Sequence, residues 1–289
     1  MLGTDRKVTR AVERNIILPP YLQTIAEGLD HPEGICWCPA SRVLYAGGEH
    51  GQIYRVDPDT GTTALIEQFS DGFILGLAVD GDGNLYACDI GNHCIHRLEP
   101  SGRAERFVDQ IEYPNALAFD ATGRLYVSDS GTWQSRGDGT IRCIEPDGTV
   151  RPLTQPNLRF PNGITIHQDW LYMVESALPG ISKIPLSGGD PIPVIELPLT
   201  IPDGLAFDTE GGLWISCWQP NRILHMNTAG VLSIAADDWS GIQIFTPNNI
   251  AFFGKELETL AVSCLGGNFL RSFRPQIRGA ALHYPKVSR

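Results

Sequence analysis

No stretch of this 289-residue chain holds the ~18 or more consecutive apolar residues of a membrane-crossing helix, so no such span is expected. Nor does any run of five basic residues occur. Thirty-three acidic side chains outweigh 22 basic ones, for a formal charge of −11, which disfavours nucleic acid or an anionic membrane as partner. Residues 1–20 mix charges and lack an apolar core, so they are not read as a signal peptide, and a cytoplasmic location is the expectation. The G-x-S-x-G, H-E-x-x-H, G-x-G-x-x-G and Walker patterns are all missing, which leaves serine, zincin and nucleotide chemistry without support. Helical patterns are missing as well, which excludes a TIM barrel. Seven cysteines, an odd number, sit mostly inside apolar, strand-like segments and are expected to be buried thiols. The Cys36–Cys38 pair has no second pair or histidine at zinc-finger spacing.

What the chain does have is a phrase that returns six times: a polar residue, a small one, then an apolar run. It reads Pro32-Glu33-Gly34-Ile35, Leu75-Gly76-Leu77-Ala78, Pro114-Asn115-Ala116-Leu117, Pro161-Asn162-Gly163-Ile164, Pro202-Asp203-Gly204-Leu205 and Pro247-Asn248-Asn249-Ile250. The small residues fall at 34, 76, 116, 163, 204 and 249, so the repeats are 40 to 47 residues apart. That period belongs to stacked four-stranded units. Each repeat continues with a second strand beginning at 44, 85, 125, 171, 213 or 260, and a third beginning at 52, 94, 140, 182, 222 or 269. Turns rich in Pro, Asp and Gly follow most third strands, and a fourth strand is expected at 62–67, 103–108, 149–153, 191–197 and 231–235. The sixth repeat lacks its fourth strand, while residues 21–28 form a strand without a repeat. Pairing the two closes a ring and removes exposed edges. The chain is therefore read as all-β: a six-bladed β-propeller of four-stranded antiparallel blades over residues 21–289, closed by its N-terminal strand, behind an extension at 1–20.

In a propeller the first strand of each blade lines the central channel, so the polar residues of the phrase should converge near the axis. They are Glu33, Leu75, Asn115, Asn162, Asp203 and Asn248, and five of the six carry an oxygen. Two carboxylates with amide oxygens suit a hard divalent cation, Ca²⁺ first, with Mg²⁺, Mn²⁺ or Zn²⁺ as alternatives. The competing reading is that Asn and Asp after Pro are turn residues bonded to their own backbone. A second ring, at the ends of the second strands, is Gly48, Asp89, Asp129, Glu175, Cys217 and Cys264. Acids are depleted within strands, so three here point to function, although a strand-ending Asp also caps turns. The role of Asn248 is left open.

The segments 32–37, 114–120, 161–164, 175–176 and 202–208 together resemble the gluconolactonase, regucalcin and luciferin-regenerating-enzyme family, in order and with compatible spacing across residues 21–285. The resemblance implies a six-bladed propeller with one divalent metal in the channel, held by Glu33, Asn162 and Asp203. It implies that Asn115 contacts water or substrate, and that Asp203, or Asp129 as in the drug-responsive lactonase branch, acts as general base. Sugar-lactone members place an arginine two residues before the asparagine that matches Asn115. This chain has Tyr113 there, a departure that bears on the substrate and not on the metal site.

The expected activity is metal-dependent hydrolysis of a small-molecule lactone, such as gluconolactone or a related aldonolactone, by a monomer or weak homo-oligomer. Metal polarisation of the carbonyl and proton removal by Asp129 or Asp203 would carry it. Tyr113 and Trp133 are expected to contact substrate or water, and Trp218, His50 and His93 to wall the pocket. The alternatives are a metal-binding sensor propeller without catalysis, or ester or organophosphate hydrolysis on the same scaffold. Alkaloid condensation of the strictosidine-synthase type is a weaker one, since this chain has neither a secretory nor a disulfide signal.

Overall fold

The computed structural model describes residues 22–109, 111–133 and 137–287. The N-terminal extension expected at 1–20 lies outside them. Twenty-four strands form six four-stranded antiparallel sheets, and no helix occurs among the described residues. From axis to rim, the first blade is β2 (Ile35–Cys38), β3 (Val43–Gly47), β4 (Gln52–Val56) and β5 (Thr63–Gln68). The second is β6 (Ile74–Val79), β7 (Leu85–Asp89), β8 (Cys94–Leu98) and β9 (Ala104–Val108). The third is β10 (Pro114–Phe119), β11 (Leu125–Asp129), β12 (Thr140–Ile144) and β13 (Val150–Pro152). The fourth is β14 (Pro161–His167), β15 (Trp170–Glu175), β16 (Gly180–Pro185) and β17 (Ile192–Glu196). The fifth is β18 (Ile201–Phe207), β19 (Leu213–Gln219), β20 (Arg222–Met226) and β21 (Leu232–Asp237). The last comprises β22 (Pro247–Phe253), β23 (Thr259–Cys264) and β24 (Phe269–Phe273), and its outer place is taken by β1 (Gln23–Glu27). The ring closes as the repeat pattern predicts.

The hydrophobic core lies between blades and is divided into six clusters, one for each neighbouring pair. Leu75, Tyr86 and Ile95 of the second blade, for instance, pack on Leu117, Phe119 and Val127 of the third. Second strands are buried on both faces because each sheet is covered by a neighbour on either side. The outermost strand β5 is largely exposed. Each fully buried Leu, Ile or Phe contributes about 1.5–3 kcal/mol, so the stack is held by a distributed apolar interface. All seven cysteines are free and buried.

In five of the six repeats the phrase does not precede the inner strand, as its sequence suggests, but forms a β-bulge at the strand's start. Pro114 pairs with Asp129 and Leu117 with Val127, so Asn115 and Ala116 together face Ser128 alone. The same two-against-one register recurs in the second, fourth, fifth and sixth blades. In the first blade Gly47 bonds both Glu33 and Gly34. A bulge bends a strand and re-aims one side chain, here the polar residue. The small residue next to it is dictated by the adjoining blade. A Cβ on Gly34 would sit 1.8 Å from the Leu75 carbonyl oxygen, and one on Gly163 would sit 2.1 Å from that of Asp203.

Candidate metal centre

The six inner strands are neighbours around the axis in the order β2, β6, β10, β14, β18, β22 and back to β2. Serine hydroxyls stitch the ring. Ser128 Oγ accepts the Ala116 N–H (2.9 Å), and Ser216 Oγ accepts the Gly204 N–H (2.7 Å) while donating to the Asn248 carbonyl. Ser263 Oγ accepts the Asn249 N–H and donates to the Glu33 carbonyl, tying the last blade to the first. Ser130 and Ser176 donate to the carbonyls of Pro161 and Pro202 in the next blade, both at 2.7 Å. The sequence reading missed these serines. The signal for three of them was a Ser one residue before the second-ring position, at 128, 216 and 263.

Glu33, Asn115, Asn162, Asp203 and Asn248 are all buried. Asn248 Nδ2 donates to Asp203 Oδ2 (3.1 Å), and Asn248 Oδ1 accepts the Leu265 N–H, so Asn248 holds Asp203 in place. Asn162 Nδ2 donates to Ser176 Oγ (3.3 Å). Five buried side-chain polar atoms among the described residues have no hydrogen-bond partner. Four are Glu33 Oε2, Asn115 Oδ1, Asn162 Oδ1 and Asp203 Oδ1; the fifth is Arg222 Nε. Buried polar atoms are almost always paired, so four acceptors left bare among the inner-ring residues mark a candidate site for a positive ligand. Local turn bonding, the competing reading of the phrase, would have occupied these oxygens.

The electrostatics agree. Burial and the neighbouring Asp203 push the Glu33 carboxyl well above the usual range. Burial pushes Asp203 up to about 8, against the opposing hydrogen bonds from Asn248 and Asn162. Without a cation the two cannot both ionise at little cost. The donor set is wholly oxygen, two carboxyls and two amides, and fits a hard divalent ion; soft ligands are missing from it.

The second ring does a different job. Asp89 Oδ1, Asp129 Oδ1 and Glu175 Oε2 accept the N–H of Phe73, Tyr113 and Arg159, each 16 residues upstream, at 3.0–3.1 Å. Each acid thus clamps the loop that enters its own inner strand. The opposite oxygen turns to the third strand: Asp89 to His96, Asp129 to Arg142 (3.2 Å), and Glu175 to Ser182. Asp129 is therefore held on both oxygens.

At the rim, Tyr113 sits edge-on to His93 (6.2 Å between ring centres) and Trp133 edge-on to Phe160 (4.7 Å). Trp133 is half exposed and Trp218 partly buried. His50 is exposed and bonded to Asp30 (2.6 Å). The opposite end of the channel is apolar, with a cavity of about 100 Å³ among inner-strand residues and Leu282, His283 and Tyr284. The C-terminal segment crosses that end, with Ala280 N–H on the Phe207 carbonyl, Gly81 N–H on that of Pro285, and Tyr284 OH on that of Trp37. The C-terminal segment thus covers the end away from the polar ring.

Known proteins match both the sequence and the fold. The pentonolactonase XacC of Haloferax volcanii is 27% identical over 252 residues, covering 82% of each chain. The lactonase drp35 of Staphylococcus haemolyticus is 23% identical over 242 residues, 75% of this chain and 72% of the relative. The solved structure of regucalcin from Agrobacterium tumefaciens, described as a calcium-binding protein, superposes with a TM-score of 0.73 at 16% identity, covering 92% of this chain and 98% of the other. Residues 15–114 and 105–265 match the SMP-30/gluconolactonase/LRE-like region, and the chain belongs to that family.

Proposed function

We propose that this protein is a lactonase in which Glu33, Asn162 and Asp203 hold one divalent cation, Ca²⁺ foremost, with Asn115 beside it. The observation that carries this reading is the set of four buried, unpartnered oxygens. The lactonase relatives and the calcium-binding fold neighbour support it. A bound cation supplies Lewis acidity, polarising a carbonyl and acidifying water. The residues do the rest. Asn248 fixes Asp203 through Oδ2 and leaves Oδ1 facing the site. Asn115 presents a bare acceptor that orients water or a substrate hydroxyl. Asp203, which keeps Oδ1 free of hydrogen bonds, would take the proton from attacking water in preference to Asp129, whose two oxygens receive the Tyr113 N–H and the Arg142 guanidinium. Tyr113 and Trp133 would contact the substrate, a small lactone such as gluconolactone, a related aldonolactone or a simpler relative.

Proton release from a panel of sugar and aliphatic lactones, with and without Ca²⁺, Zn²⁺, Mn²⁺ or Mg²⁺, tests the reading. Metal-dependent hydrolysis of at least one lactone is expected. Cation binding with no turnover of any lactone or ester would instead make the protein a sensor. Asp129→Asn keeps an acceptor for the Tyr113 N–H and should retain most of kcat. A loss of about 100-fold or more, the scale of a missing general base, would transfer that role to Asp129.

A further inference from the structure

We infer that the second blade carries a separate site for a thiophilic divalent cation such as Zn²⁺, formed by Asp89, Cys94 and His96. Asp89 ends β7 and lies directly across from Cys94, the first residue of β8, while His96 follows two residues on and so shares the face of Cys94. His96 Nε2 is 2.9 Å from Asp89 Oδ2 and 3.4 Å from Cys94 Sγ, and the three donor atoms lie within 4.8 Å of one another. A tetrahedral zinc with bonds of about 2.3 Å to sulfur and about 2.0–2.1 Å to nitrogen and oxygen needs donor separations of roughly 3.3–3.6 Å. The Cys94–His96 separation already fits, and the Asp–His contact would have to open by about half an ångström as its shared proton and the Cys94 thiol proton leave to solvent.

The surroundings are built for it. All three residues are buried. Asn92 Nδ2 donates to Asp89 Oδ2 (2.8 Å), and the His96 ring stacks flat on Phe69 at 3.5 Å, which fixes its orientation. Clamping the upstream loop does not explain the set. Asp129 and Glu175 perform that clamp with Arg142 and Ser182 as partners, and neither has a Cys and a His beside it. A surface depression lined by His50, Phe69, Ser70, Asp71 and Gly72 adjoins the cluster. Gly72 lies over the carboxylate: a Cβ there would be 2.9 Å from Asp89 Oδ2. Thiolate, imidazole and carboxylate together select a borderline-soft ion, whereas the channel's oxygens select a hard one.

The test is a Co²⁺ titration of the chelator-treated full chain in saturating Ca²⁺, followed by absorption, together with Zn²⁺ stoichiometry by equilibrium dialysis. A thiolate-to-cobalt charge-transfer band is expected in the near ultraviolet. It should disappear in Cys94→Ser, with loss of one bound Zn²⁺ per chain, and persist in Glu33→Gln, which reports on the channel instead. His96→Gln repeats the reading should Cys94→Ser not fold. A wild-type protein without the band, or a band and zinc stoichiometry unchanged in folded Cys94→Ser or His96→Gln, overturns the proposal.

Discussion

Glu33 and Asp203 are the residues whose state decides most about the site. Each is raised by burial, and Glu33 further by Asp203. An acid whose folded value lies above its unfolded one stabilises the fold below the unfolded value and loses that contribution as pH rises through the folded one. For Asp203 the window runs from about 4, the ordinary carboxylate value, to about 8. The chelator-treated protein should therefore lose thermal stability steadily across that range, and saturating Ca²⁺ should flatten the profile; a metal-free midpoint independent of pH would contradict it. Glu33→Gln removes one charge from the pair, so its metal-free midpoint should be no lower than that of the wild type. In the wild type, Ca²⁺ at 100 times Kd should add about 2.7 kcal/mol. In Glu33→Gln that increment should vanish by calorimetry, and its survival would mean that Glu33 is not a ligand.

The bulge that opens five of the six inner strands is the element on which the site depends. It turns one side chain toward the axis and leaves backbone groups that a serine satisfies in the third, fifth and sixth blades. Ser216 does this twice over, accepting from Gly204 and donating to the Asn248 carbonyl. Ser216→Ala leaves buried backbone groups unpaired, which costs about 1–3 kcal/mol and should lower the urea midpoint by a matching amount. Because Asp203 and Asn248 flank that serine, Ca²⁺ affinity should weaken as well. Unchanged affinity in a destabilised protein would separate the bulge from the site. The repeated phrase was legible as a marker of this place but not as a bulge. Pro-Asn-Gly suits a turn as well as a widened strand pairing, and only the register against the second strand distinguishes them.

As a whole, the molecule is a ring of six apolar interfaces closed by one non-local pairing. Ile25 and Ala26 of β1 are buried against the last blade, where Thr24 and Ala26 pair with Arg271 and Leu270. Ile25→Asp places an unpaired charge in that interface and should cost about 3–4 kcal/mol, read as a fall in the thermal midpoint. Release of β1 would also bare the edge of β24, so self-association on size-exclusion chromatography is expected alongside it. A monodisperse variant of unchanged midpoint would show that closure does not hold the ring.

Blade number and strand order were determined by the sequence alone, because each rests on local chemistry, and the strand left over at one end and missing at the other then implied the ring closure. Alternating apolar residues, Pro and Gly turns and a period of 40 to 47 residues repeat whatever the rest of the chain does. The inner ring's candidates followed from the same period. Which of them keeps a bare oxygen was decided only by the tertiary structure, since hydrogen-bond partners come from afar. Asn248 meets Asp203 across 45 residues, and Ser263 meets Glu33 across 230. The same allocation engaged Asp129 with Arg142, gave Asn248 its role, and brought Asp89, Cys94 and His96 together on one blade. A donor's type can be read from its letter, but whether it is satisfied depends on what the fold sets against it.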